Sequence, residues 1–522
     1  MLPLPSRFPL SHRARAALAP ALLCLAAAAF RLADLAGRNF WTDEAWVALA
    51  ALSPTPAQAL AAGQSTPPLF MLSLWALAHL FGGSEAVLRS LPFLFGVGTV
   101  LLFWPLARAL APRPAALTAL AAVACSPWLV YFSKELKQYS GDAFFAVLVL
   151  ALAERLRARE GREPWAWLAL AGSGLLGLGF SHALVFTLSA AALALWLALP
   201  SHRPRLALLG GLWALAFAAY YWLFFRHEIN VHLVAYWAQD FPDFSGPLAF
   251  LSWLVQAGRR HLGYFLGYWG QYWGLPLLLA GLIALARGGS RRAWIYWGAP
   301  LLLALLAAAA HRYPFMGHYS GNRLMLFSVP LLYLGVAAGL TAVFAFLWRR
   351  RLGWLALGLT VLLAAGLHPL ENLKENLHTT INREEIRPLV AALSQQRRGG
   401  DLVYVYYHAV SPFKYYYQGS LEGVCWGRTC VDTNLAAPAA PPHPPPRRLW
   451  LIASHFLSLE DLRTFAAGLL GPHWQETDCL TRMGAALLCF EVREVQAAKS
   501  PAARPAPALS GPPGPPGGKA CE

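Results

Sequence analysis

Long apolar stretches, separated at short intervals by arginine clusters, occupy the chain as far as about position 368. Runs long enough for a hydrocarbon layer of roughly 30 Å fall at about 16–36, 86–110, 114–132, 140–158, 165–181, 183–200, 206–225, 272–287, 293–310, 324–348 and 352–368. They predict a mainly α, polytopic membrane protein of about eleven transmembrane helices. Pro68 to Gly82 is also apolar, but its length of about 15 residues suits an interfacial or re-entrant helix better than a span.

The loops test that choice, because one span added or removed inverts every later loop. Without Pro68 to Gly82, the clusters Arg108/Arg113, Arg155 to Arg162, Arg203/Arg205, Arg287/Arg291/Arg292 and Arg349 to Arg351 share the N-terminal side. That is the pattern of cytoplasmic loops, so the N-terminus is expected in the cytoplasm and the C-terminal region outside. Arg7, Arg13 and Arg15 precede a first apolar run too long for a signal peptide, which predicts a retained signal anchor.

The expected domains are a transmembrane region over 1–368, an extracytoplasmic α/β domain over 369–495 and a Pro/Gly-rich tail over 496–522. In the second, Glu384 to Arg397 reads as an amphipathic helix and Asp401 to Tyr407 as a strand leading into a helical SPFKYYYQ. Arg448 to Ala453 and Ala486 to Val492 read as further strands.

Composition agrees: 57% of the 522 residues are hydrophobic and 13% charged, about half the charged share of a soluble domain. The net charge of +16 would suit a nucleic-acid partner, but its confinement to loops between apolar runs excludes that reading. None of the seven cysteines has C-x-x-C spacing, so a zinc ribbon or redox pair has no support. Cys24 and Cys125 read as packing residues. Cys425, Cys430, Cys479 and Cys489 would be free to pair in an oxidising compartment, with connectivity open.

The outer face collects the residues able to do chemistry. In the first outer loop, 37–82, Asp43 and Glu44 follow the first span; adjacent carboxylates there can act as a general base or hold a divalent metal. The alternative is a helix N-terminus that favours acids. The second outer segment, 133–142, carries Glu135, Lys137 and Tyr139, a carboxylate, a cation and a phenol suited to a phosphate-bearing substrate; the alternative is an interfacial belt. His182 sits in a turn between spans. Arg323 opens a span from the outer end, the wrong side for a topology-setting cation, so a phosphate partner or outer headgroups must explain it. Arg259, Arg260 and His261 admit the same two readings, and His318 is a weaker candidate.

These residues also carry a resemblance. Trp41-Thr42-Asp43-Glu44, Thr66-Pro67-Pro68-Leu69, Ser133-Lys134-Glu135-Leu136-Lys137-Gln138-Tyr139 and Ser181-His182 occur in an order and sidedness similar to GT-C membrane glycosyltransferases of the protein O-mannosyltransferase and aminoarabinose-transferase type. The bacterial branch that includes the Rgt galacturonosyltransferases is the nearest in pattern. The resemblance implies inverting transfer of a sugar from a polyprenyl-phosphate carrier to a glycan, lipid or protein acceptor, outside a bacterial inner membrane. It assigns Asp43, with Glu44 beside it, as base or metal-site residue, and Glu135, Lys137 and Tyr139 as donor-site residues. Thr66 departs from the pattern, since many relatives place His or Lys there.

A transporter or lipid flippase is the rival class. It predicts ionisable residues within spans and internal repeats; the spans here are almost free of charge and show no repeat. A membrane scaffold with a partner-binding outer domain is the third.

Overall fold

The computed structural model describes residues 12–63, 65–226, 228, 231–317, 321–367, 369–378, 384–426, 448–456, 458–470 and 472–492. The expected Pro/Gly-rich tail over 496–522 and the candidate His318 lie outside these residues.

Every apolar run of the sequence is helical, but the expected count of eleven crossings is corrected. Among the described residues four helices are long and apolar enough to cross a membrane: Glu85–Leu110, Pro200–Phe225, Arg292–Ala309 and Gly321–Arg349. Two more are gained if Arg113–Cys125 with Pro127–Ser133, bent by 50°, and Pro247–Leu266 with Gly270–Arg287, bent by 94°, each form one span. The first bend has a visible cause. Pro127 has no N–H to continue the ladder, and Ser126 restarts the helix by accepting from the Leu129 amide at 3.4 Å. Other runs fall short in length or apolarity. Pro164–Phe180 and Leu184–Ala198 have 17 and 15 residues, and Tyr139–Ala158 carries Asp142, Glu154, Arg155 and Arg157. Pro68–Phe81, at 14 residues, is too short, as expected.

Gly270–Arg287 and Val329–Arg349 approach backbone to backbone. A Cβ on Gly281 would stand 1.8 Å from the Gly335 carbonyl oxygen, and one on Gly339 1.9 Å from that of Leu277. Small residues at such a crossing replace the hydrophobic drive that lipid cannot supply.

The C-terminal domain is a five-stranded mixed sheet in the order β2-β1-β3-β5-β4. Its strands are β1 Leu402–Val405, β2 Val424–Trp426, β3 Arg448–Ser454, β4 Trp474–Arg482 and β5 Ala485–Val492. β2, β1 and β3 run parallel, and β5 is antiparallel to β3 and β4. Alternation along β3 sends Trp450 and Ile452 into a core with Ile386–Gln396 and Val410–Tyr416, and Leu449 and Leu451 into another with Leu459–Leu470. Cys425 is disulfide-bonded, whereas Cys24, Cys125, Cys479 and Cys489 are free thiols. The chain is thus a mainly helical, multi-pass membrane protein with a small C-terminal sheet domain.

Candidate active site

The short helix Thr42–Ala51 begins with Asp43 and Glu44 in its first turn, and its period of 3.6 residues aims the two carboxylates differently. Glu44 points inward and is fully buried. It accepts from Arg89 Nε at 3.0 Å and the Leu136 amide at 2.7 Å, with Arg89 Nη2 at 2.8 Å and Arg38 Nη2 at 3.5 Å. Burial would raise its pKa, but the two guanidinium groups and the amide hold it below the usual carboxylate range. Arg89 also donates to the carbonyls of Leu35, Arg38 and Asn39. One ionic nest therefore ties the end of the first helix, the first outer loop and the second outer segment together.

Asp43 faces the other way, into a cavity of about 600 Å³ between the helices and the outer domain. Its carboxylate, 30% exposed, lies 3.6 Å from Arg323 Nη2. Arg323 is held over the rings of Trp41 and Tyr139, with its guanidinium carbon 5.9 and 5.4 Å from their centroids. Lys137 lines the same wall with its ammonium 5.8 Å from the Trp46 ring centre. Burial, helped by Arg323, lowers its pKa against the pull of Asp43, Glu135 and Glu44. His182 stands edge-to-face against Phe225 at 4.3 Å. Burial holds its pKa down at about 4 despite the opposing backbone contact with Ser65, so its ring is neutral at physiological pH.

The outer domain roofs the cavity with His408 and His455, whose rings lie 4.8 Å apart. His455 Nδ1 is 3.0 Å from Glu384 Oε1, while Glu384 Oε2 accepts from the Thr42 amide at 3.1 Å and its hydroxyl at 2.8 Å. The Phe40 amide donates to Tyr416 Oη at 2.6 Å. The roof is thus pinned to the residue next to Asp43.

Of the residues predicted from sequence, Asp43, Lys137, Tyr139, His182 and Arg323 meet in this cavity. Glu44 is behind its wall. Glu135 is buried there as well; Oε1 accepts from Trp41 Nε1 at 3.1 Å, and Oε2 has no hydrogen-bond partner in the protein. Thr66 and Pro67 are buried next to Ser65, which itself lines the cavity. Arg259 lies elsewhere, over the Tyr272 ring at 5.0 Å and 3.4 Å from Gln271 Oε1. His261 is buried against Asn322 Oδ1 at 3.0 Å.

Sequence reasoning missed Glu228, Arg312, Tyr313, His408 and His455. Glu228 accepts from the Ser65 amide at 2.8 Å. Burial pushes its carboxyl up to about 7, against that amide. In sequence it was one of three acids, with Asp240 and Asp243, in a long loop, and nothing there set it apart. Among the described residues no group of three His, Cys, Asp or Glu side chains converges to hold a metal.

Residues 65–223 match the family described as dolichyl-phosphate-mannose-protein mannosyltransferase. No curated protein sequence matches the chain. Among solved structures, ArnT from Cupriavidus metallidurans bound to undecaprenyl phosphate is similar, with a TM-score of 0.50 and 14% identity over 94% of this chain and 100% of that one. The Archaeoglobus fulgidus oligosaccharyltransferase in its apo form is similar at a TM-score of 0.50 and 11% identity, over 92% of this chain and 74% of that one. The chain has the fold of these two membrane proteins.

Proposed function

We propose that the protein transfers a sugar from a polyprenyl-phosphate carrier to an acceptor at the outer membrane face, with inversion at the anomeric carbon. The observation that carries this is the convergence of Asp43, Lys137 and Arg323, from three distant parts of the chain, on one cavity at the base of the outer domain. Such a cavity offers a base and two cations to a single reacting centre.

In the step we propose, the acceptor oxygen bonds the anomeric carbon while the bond from that carbon to the carrier phosphate breaks. The acceptor proton passes to Asp43, a carboxylate half-open to solvent. The phosphate leaves with the electron pair, and Lys137 and Arg323 stabilise the charge it gains. Arg323 is paired with Asp43 at 3.6 Å; a bound phosphate would draw it off and release the carboxylate to act as base. His182, uncharged, can orient a hydroxyl without adding charge. Glu44 and Glu135 serve as positioning residues that hold the two outer segments in register.

A divalent ion would be held by Asp43 together with phosphate oxygens of the donor, as hard cations favour. It would share the charge stabilisation. We place the N-terminus in the cytoplasm of a bacterium and the outer domain beyond the inner membrane, a reading supported by the arginine clusters.

Purified protein given a panel of polyprenyl-phosphate sugars, with and without EDTA, tests the assignment. Release of carrier phosphate from one donor is the expected result. No release from any donor in either condition would remove it.

A further inference from the structure

One part of the cavity wall holds a cluster of which the proposed transfer step uses only His182. It is built around Ser65, whose φ of 57° puts a residue with a side chain in the left-handed region. Such a backbone persists only where its surroundings hold it. Three side chains from three other segments do so. Glu228 Oε1 accepts from the Ser65 amide at 2.8 Å, Gln138 Nε2 donates to the Ser65 carbonyl at 3.4 Å, and His182 makes a further contact with the same backbone. All four residues line the cavity.

Gln138 directly follows Lys137 in the chain, so the cluster starts one residue from a cation that would hold the carrier phosphate. A sugar joined to that phosphate lies against it. Phe225, whose ring meets His182 edge-on at 4.3 Å, supplies an apolar side together with Tyr221 and Trp237. An apolar wall with a few placed polar groups is the make-up of a small-molecule site.

The cluster carries one acid and no counter-charge. Among the described residues the Ser65 amide is the one hydrogen-bond partner of Glu228, and it occupies Oε1 alone. No cation offsets the Glu228 charge. Lys137 and Arg323 are buried with Asp43 as their acidic neighbour. Arg312 lines the cavity too, but it is exposed, where water screens it. His182 is uncharged. An ionised carboxylate accepts hydrogen bonds and cannot donate them, so Oε2 suits a hydroxyl and repels a second acid.

From these features we infer that Glu228 is a specificity-determining residue for the donor sugar: its Oε2 accepts from a ring hydroxyl of an uncharged sugar, and the same carboxylate rejects a uronate. This rests on the polyprenyl-phosphate reading of the cavity given above. Ser65, held by Gln138 and His182, keeps Oε1 occupied and so aims Oε2. A uronate would bring its own carboxylate beside the first with no buried cation between them, and selection by repulsion of the wrong ligand is a common device.

The test is donor binding by the whole chain in nanodiscs at pH 8, without acceptor. The probes are short-chain polyprenyl-phosphate hexoses and the matching hexuronates, differing only at C6, in the gluco, galacto and manno series. In the series bound best, the hexose should be favoured over its uronate by about tenfold. E228Q, which keeps an acceptor for the Ser65 amide, should bring the two within about twofold. E228A should do the same without adding a donor, and it covers the case in which E228Q fails to fold. A merely structural Glu228 would weaken both donors alike and leave their ratio unchanged. That result, or a wild-type ratio near one or in favour of the uronate, would overturn the assignment while polyprenyl-phosphate binding stands. Binding of no donor in any series would instead overturn the reading of the cavity, and this assignment with it.

Discussion

The open wall of the first cavity and the closed nest behind it use the same chemistry to opposite ends. In both, a carboxylate meets guanidinium groups, and the two carboxylates are neighbours in sequence. In the nest Glu44 is sealed, doubly paired and hydrogen-bonded to an amide. At the wall Asp43 is 30% exposed and holds Arg323 at a looser 3.6 Å. A buried pair is expensive to break, and a half-open one is cheap to exchange. The difference shows which ionic contact can take part in a reaction and which can only hold a shape.

Substitutions can break that contrast. Asp43→Asn should lower kcat for sugar transfer by about 10³-fold, within the range for loss of a general base, with membrane protein levels unchanged; activity near wild type would make Asp43 another structural acid. Lys137→Met should cost about 10²-fold in kcat, because the leaving phosphate loses one of its two cations while Arg323 stays. Steady-state kinetics on the same donor would show it. Glu44→Gln should act on stability instead. It removes the carboxylate that buried Arg89 and Arg38 share, about 3–5 kcal/mol for removing one partner of a buried pair, read as a large fall in thermal midpoint and in folded yield. A Glu44→Gln protein that folds normally but is inactive would reverse the roles assigned to the two acids.

The smallest effect concerns Glu228. Its folded-state pKa of about 7 lies above the ordinary glutamate value of 4.5, so the folded protein holds the proton longer than the unfolded chain does. Stability from this group is therefore present below about pH 4.5 and is lost as pH rises through about 7. Glu228→Gln should raise the thermal midpoint at pH 8 by about 1 °C and leave it unchanged or lower at pH 5. An equal shift at both pH values would show that the proton is not involved.

Much of this was legible in sequence wherever the signal was local. Apolar runs announced helices, and Arg323 stood out because it broke the charge rule. Strands β1, β3 and β5 announced themselves as apolar runs. β4 did not: Trp474–Arg482 is an edge strand whose polar residues stand on both faces, so no alternation marks it. The helix Pro369–Leu377, with its amide and acids, was too short and polar to stand out from a linker. Glu228 was hidden for another reason. Its meaning comes from Ser65, 163 residues away, and no pattern along the chain records that meeting. Arg89 was overlooked as an ordinary flanking charge, although it is wholly buried and anchors the nest.

The bond from Thr42 to Glu384 has a consequence in time as well as in space. The segments that carry Asp43 and Lys137 leave the ribosome long before Glu384, His408 and His455 are made, since synthesis proceeds residue by residue from the N-terminus. Until then the cavity has a floor and walls but no lid, and Thr42 has no acid to hold. A growing chain thus passes through a roofless stage, and completion of the outer domain is the event that turns an inserted protein into a working one.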